Sequence, residues 1–196
     1  YLGPDGTPVA EFPQAFADPA QLLPLFKQML FVRTFDSKAI ALQRTGKLGT
    51  YAACLGHEAT HVGIGAAMAP EDVFAPSYRE YGAQIMRGEQ PREILMYWGG
   101  DERGNDFENQ RTDFPWCVPI STQCLHAAGA ALAFKLRGEK RVAVTCCGDG
   151  GSSKTDTYAA INSAGAYALP FVQCIVNNGW AISVPRKSQT GAQTLA

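Results

Sequence analysis

The 196-residue sequence predicts an α/β fold in which a parallel sheet carries helices on both faces. Two continuously apolar runs, Val142–Cys147 and Phe171–Val176, have the composition of strands that are buried on both sides. A helical segment at Ser153–Tyr167 lies between them, and strand, crossover helix and strand form a right-handed parallel unit. Hydrophobic residues make up 46% of the chain and charged residues 18%, which indicates a folded domain rather than a disordered one.

The first residues predict an irregular arm, because Pro4-Asp5-Gly6 and further prolines fall within residues 1–17. A single α/β domain is expected at 18–196. We expect this domain to be incomplete at its carboxyl end, since the final residues carry no helix stop or turn signal.

A long helix is predicted to open the domain. Asp18 supplies a cap and Pro19 a first-turn proline, and the helix should continue to about Thr45 with a kink near Pro24. The face expected to be buried consists of apolar residues at helical spacing: Leu22, Leu25, Phe26, Met29, Leu30, Phe35, Ala39 and Leu42.

The middle of the chain predicts further helices and one long loop. The stretch Gly99–Trp116 is polar and bears glycines, and loops of this length are usually functional or mobile. The helices expected around it are Glu58–Met68, Tyr78–Arg87, Pro91–Tyr97 and Ser121–Leu136.

Composition argues against several classes of function. The net charge is −1 without long charged runs, so nothing attracts nucleic acid or an anionic membrane, and no apolar stretch has the length of a membrane span. The six cysteines form no Cys-x-x-Cys pair, and Cys146, Cys147 and Cys174 lie in the predicted strands. They are therefore interpreted as reduced core residues of a cytosolic or matrix protein.

Polar residues follow both predicted strands. The first strand runs into Gly148-Asp149-Gly150-Gly151, and the second into Asn177-Asn178-Gly179-Trp180. Carboxyl ends of neighbouring parallel strands meet at one edge of a sheet, so Asp149 and Asn178 should emerge side by side. Carboxylate, amide and carbonyl oxygens suit Mg²⁺, and the glycines allow a diphosphate to approach the backbone. The sequence thus predicts a magnesium-diphosphate site.

This pattern resembles the thiamin diphosphate motif, in the version found in alpha subunits of 2-oxo acid dehydrogenases. Four upstream segments match the same family in place and order: Leu48–Tyr51, Gly56–Ala59, Ser77–Glu80 and Val118–Gln123. The resemblance covers about residues 25–196 and implies a thiamin diphosphate-binding, transketolase-like fold.

The resemblance implies a role for each matching residue. Asp149 and Asn178 would bind Mg²⁺ through their side chains and Trp180 through its carbonyl. The backbone N–H groups of Gly150 and Gly151 would contact the diphosphate. The remaining cofactor contacts would come from Tyr78 and Arg79 at the diphosphate arm and from Ile120 between the two cofactor rings. Some family members also bind K⁺ near residues 119–123.

The resemblance further implies oxidative decarboxylation of a 2-oxo acid, with the acyl unit passed to a lipoyl-bearing acyltransferase. The segment 42–51 looks closest to bacterial pyruvate dehydrogenase, and a branched-chain 2-oxo acid such as 2-oxoisovalerate is the alternative substrate. A heterotetramer with a beta subunit is expected, in the bacterial cytoplasm or, in a eukaryote, the mitochondrial matrix. The family's catalytic glutamate and histidine lie outside this chain, so no catalytic residue is predicted in it, and alone it should be inactive.

Three residues depart from the family pattern after Asp149. Thr155, Thr157 and Ala159 stand where the family commonly has glycine, phenylalanine and glutamate. We expect them to affect the helix start or a subunit contact, without touching the proposed ligands.

The segment His57-Glu58-Ala59-Thr60-His61 matches a different chemistry, the zinc metallopeptidase pattern with two histidines one helical turn apart. Glycines follow at once, and a third histidine is missing at the spacing of the longer motif, which favours a structural role. His126, in an alanine-rich segment, is interpreted as a packed helix residue.

Overall fold

The computed structural model describes residues 3–14 and 18–195. Residues 3–14 consist of turns and irregular backbone, including a bond from Gly3 N to Thr7 O (2.8 Å), and the rest of the predicted arm lies outside the described residues. The helices are α1 (Pro19–Arg44), α2 (Glu58–Ala67), α3 (Tyr81–Arg87), α4 (Pro91–Trp98), α5 (Thr122–Arg137) and α6 (Thr155–Ala166). The strands are β1 (Val73–Ala75), β2 (Ala143–Gly148), β3 (Phe171–Val176), β4 (Trp180–Ala181) and β5 (Val184–Pro185).

The central sheet has the order β1-β2-β3 with all strands parallel. Helices cover both faces: Phe74 and Cys146 pack towards α2 and α3, while Ala143 and Cys147 pack towards α5 and α6. The predicted α/β class, with a parallel sheet between helices, is therefore confirmed. The sequence prediction missed β1, because three residues are too few to establish a strand pattern.

Helix α1 begins as predicted, with the Asp18 carboxylate accepting a hydrogen bond from Ala20 N (2.9 Å), and it runs through Pro24 as one element. The prediction of its buried face is partly wrong. The second half packs under α2 and α3, where Val32, Phe35 and Asp36 are buried, and from the first half Leu25 and Met29 pack against the same core. Leu22, Phe26 and Leu30, on the predicted face, are instead exposed.

The stretch Gly99–Trp116 contains a short 3-10 turn at Glu102–Asn105 and is packed onto the domain. Phe107 and Trp116 belong to the main hydrophobic core, and Asp113 is buried. Phe114 N donates to Phe74 O (2.9 Å), so this segment covers the outer edge of β1. This segment therefore has a structural role, and the expectation that it is also functional stays a prediction.

All six cysteines, which lie within the described residues, are free. Cys146 and Cys147 are buried in the sheet as predicted, and Cys174 is half-buried because β3 forms the sheet's edge. In the part of the chain that the structure describes, no helix combines the length and apolarity needed to cross a bilayer.

Candidate functional site

The carboxyl ends of the three parallel strands meet at one edge of the sheet. Gly148 and Val176 are register partners, and Asp149 N donates to Val176 O (3.1 Å), so the tips of β2 and β3 are adjacent. Ala75, the last residue of β1, is the register partner of Thr145, whose hydroxyl donates to the Ala75 carbonyl (2.8 Å). The geometric premise of the sequence analysis, that the two polar segments emerge side by side, is confirmed.

The turn after β2 touches the hairpin formed by β4 and β5. A Cβ added to Gly150 would lie 2.5 Å from the Cβ of Ala181 and 3.4 Å from its Cα. Real Cβ atoms are not found 2.5 Å from another carbon, so only glycine allows this approach. The contact brings the Gly150 backbone against the residues that follow Asn178.

Asp149 has a buried carboxylate oxygen without a hydrogen-bond partner among the described residues. The residue is 2% exposed, and its Oδ2 atom has no hydrogen-bond partner within residues 3–14 and 18–195. A desolvated carboxylate oxygen without a partner is costly, whereas a bound cation compensates for the lost hydration. Asp149 therefore has the surroundings of a ligand to a cation.

Asn178 and Trp180 supply further oxygens at the same edge. The Asn178 Oδ1 atom accepts a bond from Trp180 N (3.0 Å), which orients the amide, and a second lone pair on that oxygen is still available to a cation. Arg186 N donates to Gly179 O (2.8 Å). Since bonded and non-bonded pairs alternate in an antiparallel ladder, the Trp180 carbonyl turns away from β5.

The peptide of Gly151 is fixed by two hydroxyl groups. Its carbonyl accepts bonds from the Ser121 hydroxyl (2.9 Å) and from the Thr157 hydroxyl (2.8 Å). The expectation that Thr157 does not touch a proposed ligand is therefore wrong: this threonine is buried and fixes the Gly151 peptide directly. Sequence reasoning missed Ser121 and Thr157, because a hydroxyl that bonds a distant carbonyl leaves no pattern along the chain.

Ile120 reaches the same edge through Ser121. Ser121 adopts a left-handed backbone (φ 66°) immediately before α5, and its bond to Gly151 ties this segment to the turn after β2. The Ile120 side chain is 42% exposed beside these groups. In this segment Gln123 Nε2 donates to Cys146 O (2.6 Å). The K⁺ site near residues 119–123 stays a prediction.

Tyr78 and Arg79 follow β1 in a turn rather than a helix. The predicted helix begins later, at Tyr81, because the buried Glu80 carboxylate accepts bonds from both Ser77 N and the Ser77 hydroxyl (each 2.7 Å). The Arg79 guanidinium lies 5.4 Å from the centre of the Tyr78 ring and donates to the carbonyl of Ala53. Both residues are half-buried and follow the carboxyl end of β1.

The metallopeptidase pattern does not assemble a zinc site. In the described ranges, no group of three or more histidine, cysteine or acidic side chains could hold a metal ion. The would-be base Glu58 pairs with Arg33, whose guanidinium lowers the pKa of this carboxyl to about 2, far too low for a general base near neutrality. The rings of His57 and His61 pack edge to face at 5.3 Å, and burial lowers the pKa of both imidazoles.

His126 is more exposed than predicted. Its ring stacks on Phe114 at 5.6 Å, on the outer side of α5. It therefore contributes a surface contact rather than a packed core position.

The comparisons with known proteins agree with the resemblance seen in the motifs. Residues 26–196 match the family described as "Dehydrogenase E1 component". The chain is 39% identical over all of its 196 residues to the 3-methyl-2-oxobutanoate dehydrogenase subunit alpha of Mycobacterium tuberculosis, and covers 53% of that protein. It is 40% identical over 176 residues, 90% of its length, to the pyruvate dehydrogenase E1 component subunit alpha of Staphylococcus aureus, and covers 48% of it. The chain thus spans about half the length of the curated relatives it matches.

Proposed function

Because the chain belongs to the Dehydrogenase E1 component family, we propose that it is the part of a 2-oxo acid dehydrogenase alpha subunit that holds thiamin diphosphate with Mg²⁺. The observation that carries this proposal is the buried, unpartnered Oδ2 of Asp149, at the junction of two adjacent strand tips. The described residues fit the group, since oxygen donors and a glycine-lined approach share one edge.

Each predicted site residue has a role in this proposal. Asp149, Asn178 and the Trp180 carbonyl bind Mg²⁺, and the N–H groups of Gly150 and Gly151 bind the diphosphate. Arg79 offers the diphosphate a planar fork of donors, and Tyr78 supports the guanidinium through its ring. Ile120 packs against the cofactor rings. The cofactor, when bound, supplies the electron sink that decarboxylation requires.

Pyruvate is the proposed substrate, with transfer of the acetyl group to a lipoyl-bearing acyltransferase. A beta subunit in a heterotetramer is the proposed partner, and bacterial relatives support a cytoplasmic location. The second candidate substrate is 3-methyl-2-oxobutanoate, which is the same acid as 2-oxoisovalerate. It is favoured by the relative that aligns with the whole chain. K⁺ near residues 119–123 remains part of the proposal.

Calorimetric titration of thiamin diphosphate with Mg²⁺ into the full-length chain, assembled with its beta subunit, tests the cofactor site. We expect Asp149→Ala to abolish Mg²⁺-dependent binding. Asp72→Ala is the matched control, because Asp72 is also buried but accepts bonds from Ala69 N and Val142 N (each 2.8 Å). Binding by the folded Asp72 variant should match the wild type. Full binding by Asp149→Ala would place the site elsewhere.

The substrate is tested separately, by comparing kcat/KM for pyruvate and 3-methyl-2-oxobutanoate in the same assembly. Pyruvate lacks two methyl groups, and a small pocket discriminates by about 10-fold or more per excess carbon. We expect pyruvate to be preferred, and the reverse ratio would establish the branched-chain candidate. The isolated chain should show no turnover with either acid.

A further inference from the structure

Four consecutive residues that contact Arg79, Tyr51 to Cys54, form a strap that is held in place by side chains from two helices. The Asp36 Oδ1 atom, on α1, accepts bonds from the Tyr51 hydroxyl and from Cys54 N (each 2.9 Å). The Tyr81 hydroxyl, on α3, donates to the carbonyl of Ala52 (2.9 Å). Asp36 and Tyr81 are completely buried, so both anchors are protected from water.

Ring packing reinforces these hydrogen bonds. The Tyr51 and Tyr81 rings stack at 5.4 Å with an interplanar angle of 17°, and Trp98 meets the Tyr51 ring edge-on at 6.1 Å. Phe35 packs against the Tyr81 ring from α1 at 6.2 Å. The strap is therefore fixed by both polar and aromatic contacts, and its backbone has little freedom to move.

The next carbonyl of the strap, that of Ala53, accepts the bond from Arg79 Nη1. A free arginine side chain has many rotamers, and ordering it is among the larger entropy costs for any side chain. A guanidinium carries five N–H donors, so one bond to Ala53 leaves others for a phosphate. The position of the strap thus decides where Arg79 presents its remaining donors.

We propose that Asp36 and Tyr81 are positioning residues for Arg79: by holding the strap, they pre-order the guanidinium for the diphosphate of the cofactor. The inference rests on the proposed function, because it assigns the diphosphate as the ligand of Arg79. Neither residue touches the cofactor; each acts through the strap and the Ala53 carbonyl.

Loss of the Asp36 carboxylate should raise the Kd for thiamin diphosphate by roughly 3- to 10-fold, the range expected when one long side chain must be ordered on binding. Asp36→Asn should bind nearly as tightly as the wild type, since its amide oxygen still has two lone pairs for Tyr51 and Cys54. A purely structural role for the buried carboxylate would not predict that the loss depends on Arg79.

A double-mutant cycle on Kd separates these roles. We would titrate thiamin diphosphate with Mg²⁺ into the full-length assembly carrying Asp36→Ala, Arg79→Ala or both. The expected result is that Asp36→Ala weakens binding in the wild-type background and adds nothing once Arg79 is absent. Asp72→Ala, a buried aspartate that bonds backbone groups away from the strap, should leave Kd unchanged.

Additive effects in the cycle, an unchanged Kd for folded Asp36→Ala, or an equal effect of Asp72→Ala would each overturn the inference. If Asp36→Ala does not fold, Tyr81→Phe replaces it, because this variant removes only the hydroxyl that bonds Ala52. Its effect on Kd should likewise disappear without Arg79. If Asp149→Ala abolishes binding while the cycle is additive, only this inference fails. If the wild type shows no Mg²⁺-dependent binding, both this inference and the proposed function fail.

Discussion

Two buried aspartates beside the central sheet, Asp113 and Asp149, differ in how their charge is compensated. Asp113 is 7% exposed and Asp149 is 2% exposed, so burial does not distinguish them. Asp113 accepts bonds from Phe74 N (2.8 Å) and from two nitrogens of Arg87, whereas Oδ2 of Asp149 finds no partner among the described residues. At the outer edge of β1, protein groups therefore satisfy the carboxylate. At the tips of β2 and β3, one carboxylate oxygen is left available to a group from outside the protein.

The comparison shows that two carboxylates of similar burial can differ in how many of their oxygens have partners. An unpartnered oxygen alone does not mark a binding site, because Asp36 Oδ2 and Glu89 Oε1 are also buried without partners among the described residues. At Asp149 the unpartnered oxygen coincides with two adjacent strand tips. Arg87, the partner of Asp113, also donates to the carbonyls of Ala69 (3.2 Å) and Asp72, so the ion pair joins β1, the covering segment and the chain before β1. The Asp113 carboxylate and the Arg87 guanidinium therefore compensate each other within the chain. Asp149 lies at the strand tips, where a magnesium-bound cofactor is the proposed partner of its Oδ2 atom.

The largest effect on stability is expected at Asp113, whose charge is compensated by protein groups. Asp113→Ala leaves the buried Arg87 guanidinium without its carboxylate and should lower the free energy of unfolding by about 3–5 kcal/mol. Glu108→Ala, which breaks an exposed pair with Arg92, should cost about 0–1 kcal/mol. Urea unfolding of both variants measures the difference. Equal losses would show that the buried cluster does not stabilise this edge.

A second prediction concerns His61, which lies away from the strand tips. Like Asp149, it is buried and has polar atoms without partners. Its two ring nitrogens have no hydrogen-bond partner in the described part of the chain, and burial lowers its pKa to about 3. The unfolded state, with an ordinary pKa near 6.5, binds the proton first, so the contribution of neutral His61 is complete above that pH and is lost as the pH falls towards about 3.

The contribution of His61 to the free energy of unfolding should therefore drop by about 2 kcal/mol between pH 6.5 and pH 5. His61→Gln should remove most of this slope, while His57, whose pKa burial also lowers, retains a smaller part. Glu58 does not contribute in this window, because its low pKa makes its stabilisation vanish only below about pH 4.5. Identical slopes for the wild type and His61→Gln would contradict the assignment.

The smallest effect on the free energy of unfolding is expected at Asp149, and its sign is opposite to that at Asp113. Without Mg²⁺, Asp149→Asn removes a buried charge whose second oxygen is unpartnered, and it should leave stability unchanged or raise it by up to about 1 kcal/mol. Urea unfolding in the presence of a chelator measures this. A loss as large as that of Asp113→Ala would mean that Asp149 is a structural residue.

The sequence predicted those parts of the fold and site that depend on local pattern. The strands β2 and β3 are continuous apolar runs, and the spacing of Asp149 and Asn178 follows from one crossover unit. The contacts of Asp36, Ser121 and Thr157 could not be predicted, because each joins segments far apart in the chain through a single polar atom. The exposure of Leu22, Phe26 and Leu30 on α1 was mispredicted for a related reason, since helical periodicity does not reveal where the covering helices end.

The central claim is that Asp149, Asn178 and the Trp180 carbonyl share one divalent cation, and Mn²⁺ provides the most direct test. A crystal of the full-length assembly with thiamin diphosphate and Mn²⁺ should show an anomalous difference peak within about 2.3 Å of these three oxygens and of the diphosphate. A bound cofactor whose Mn²⁺ lies away from Asp149 would contradict the account.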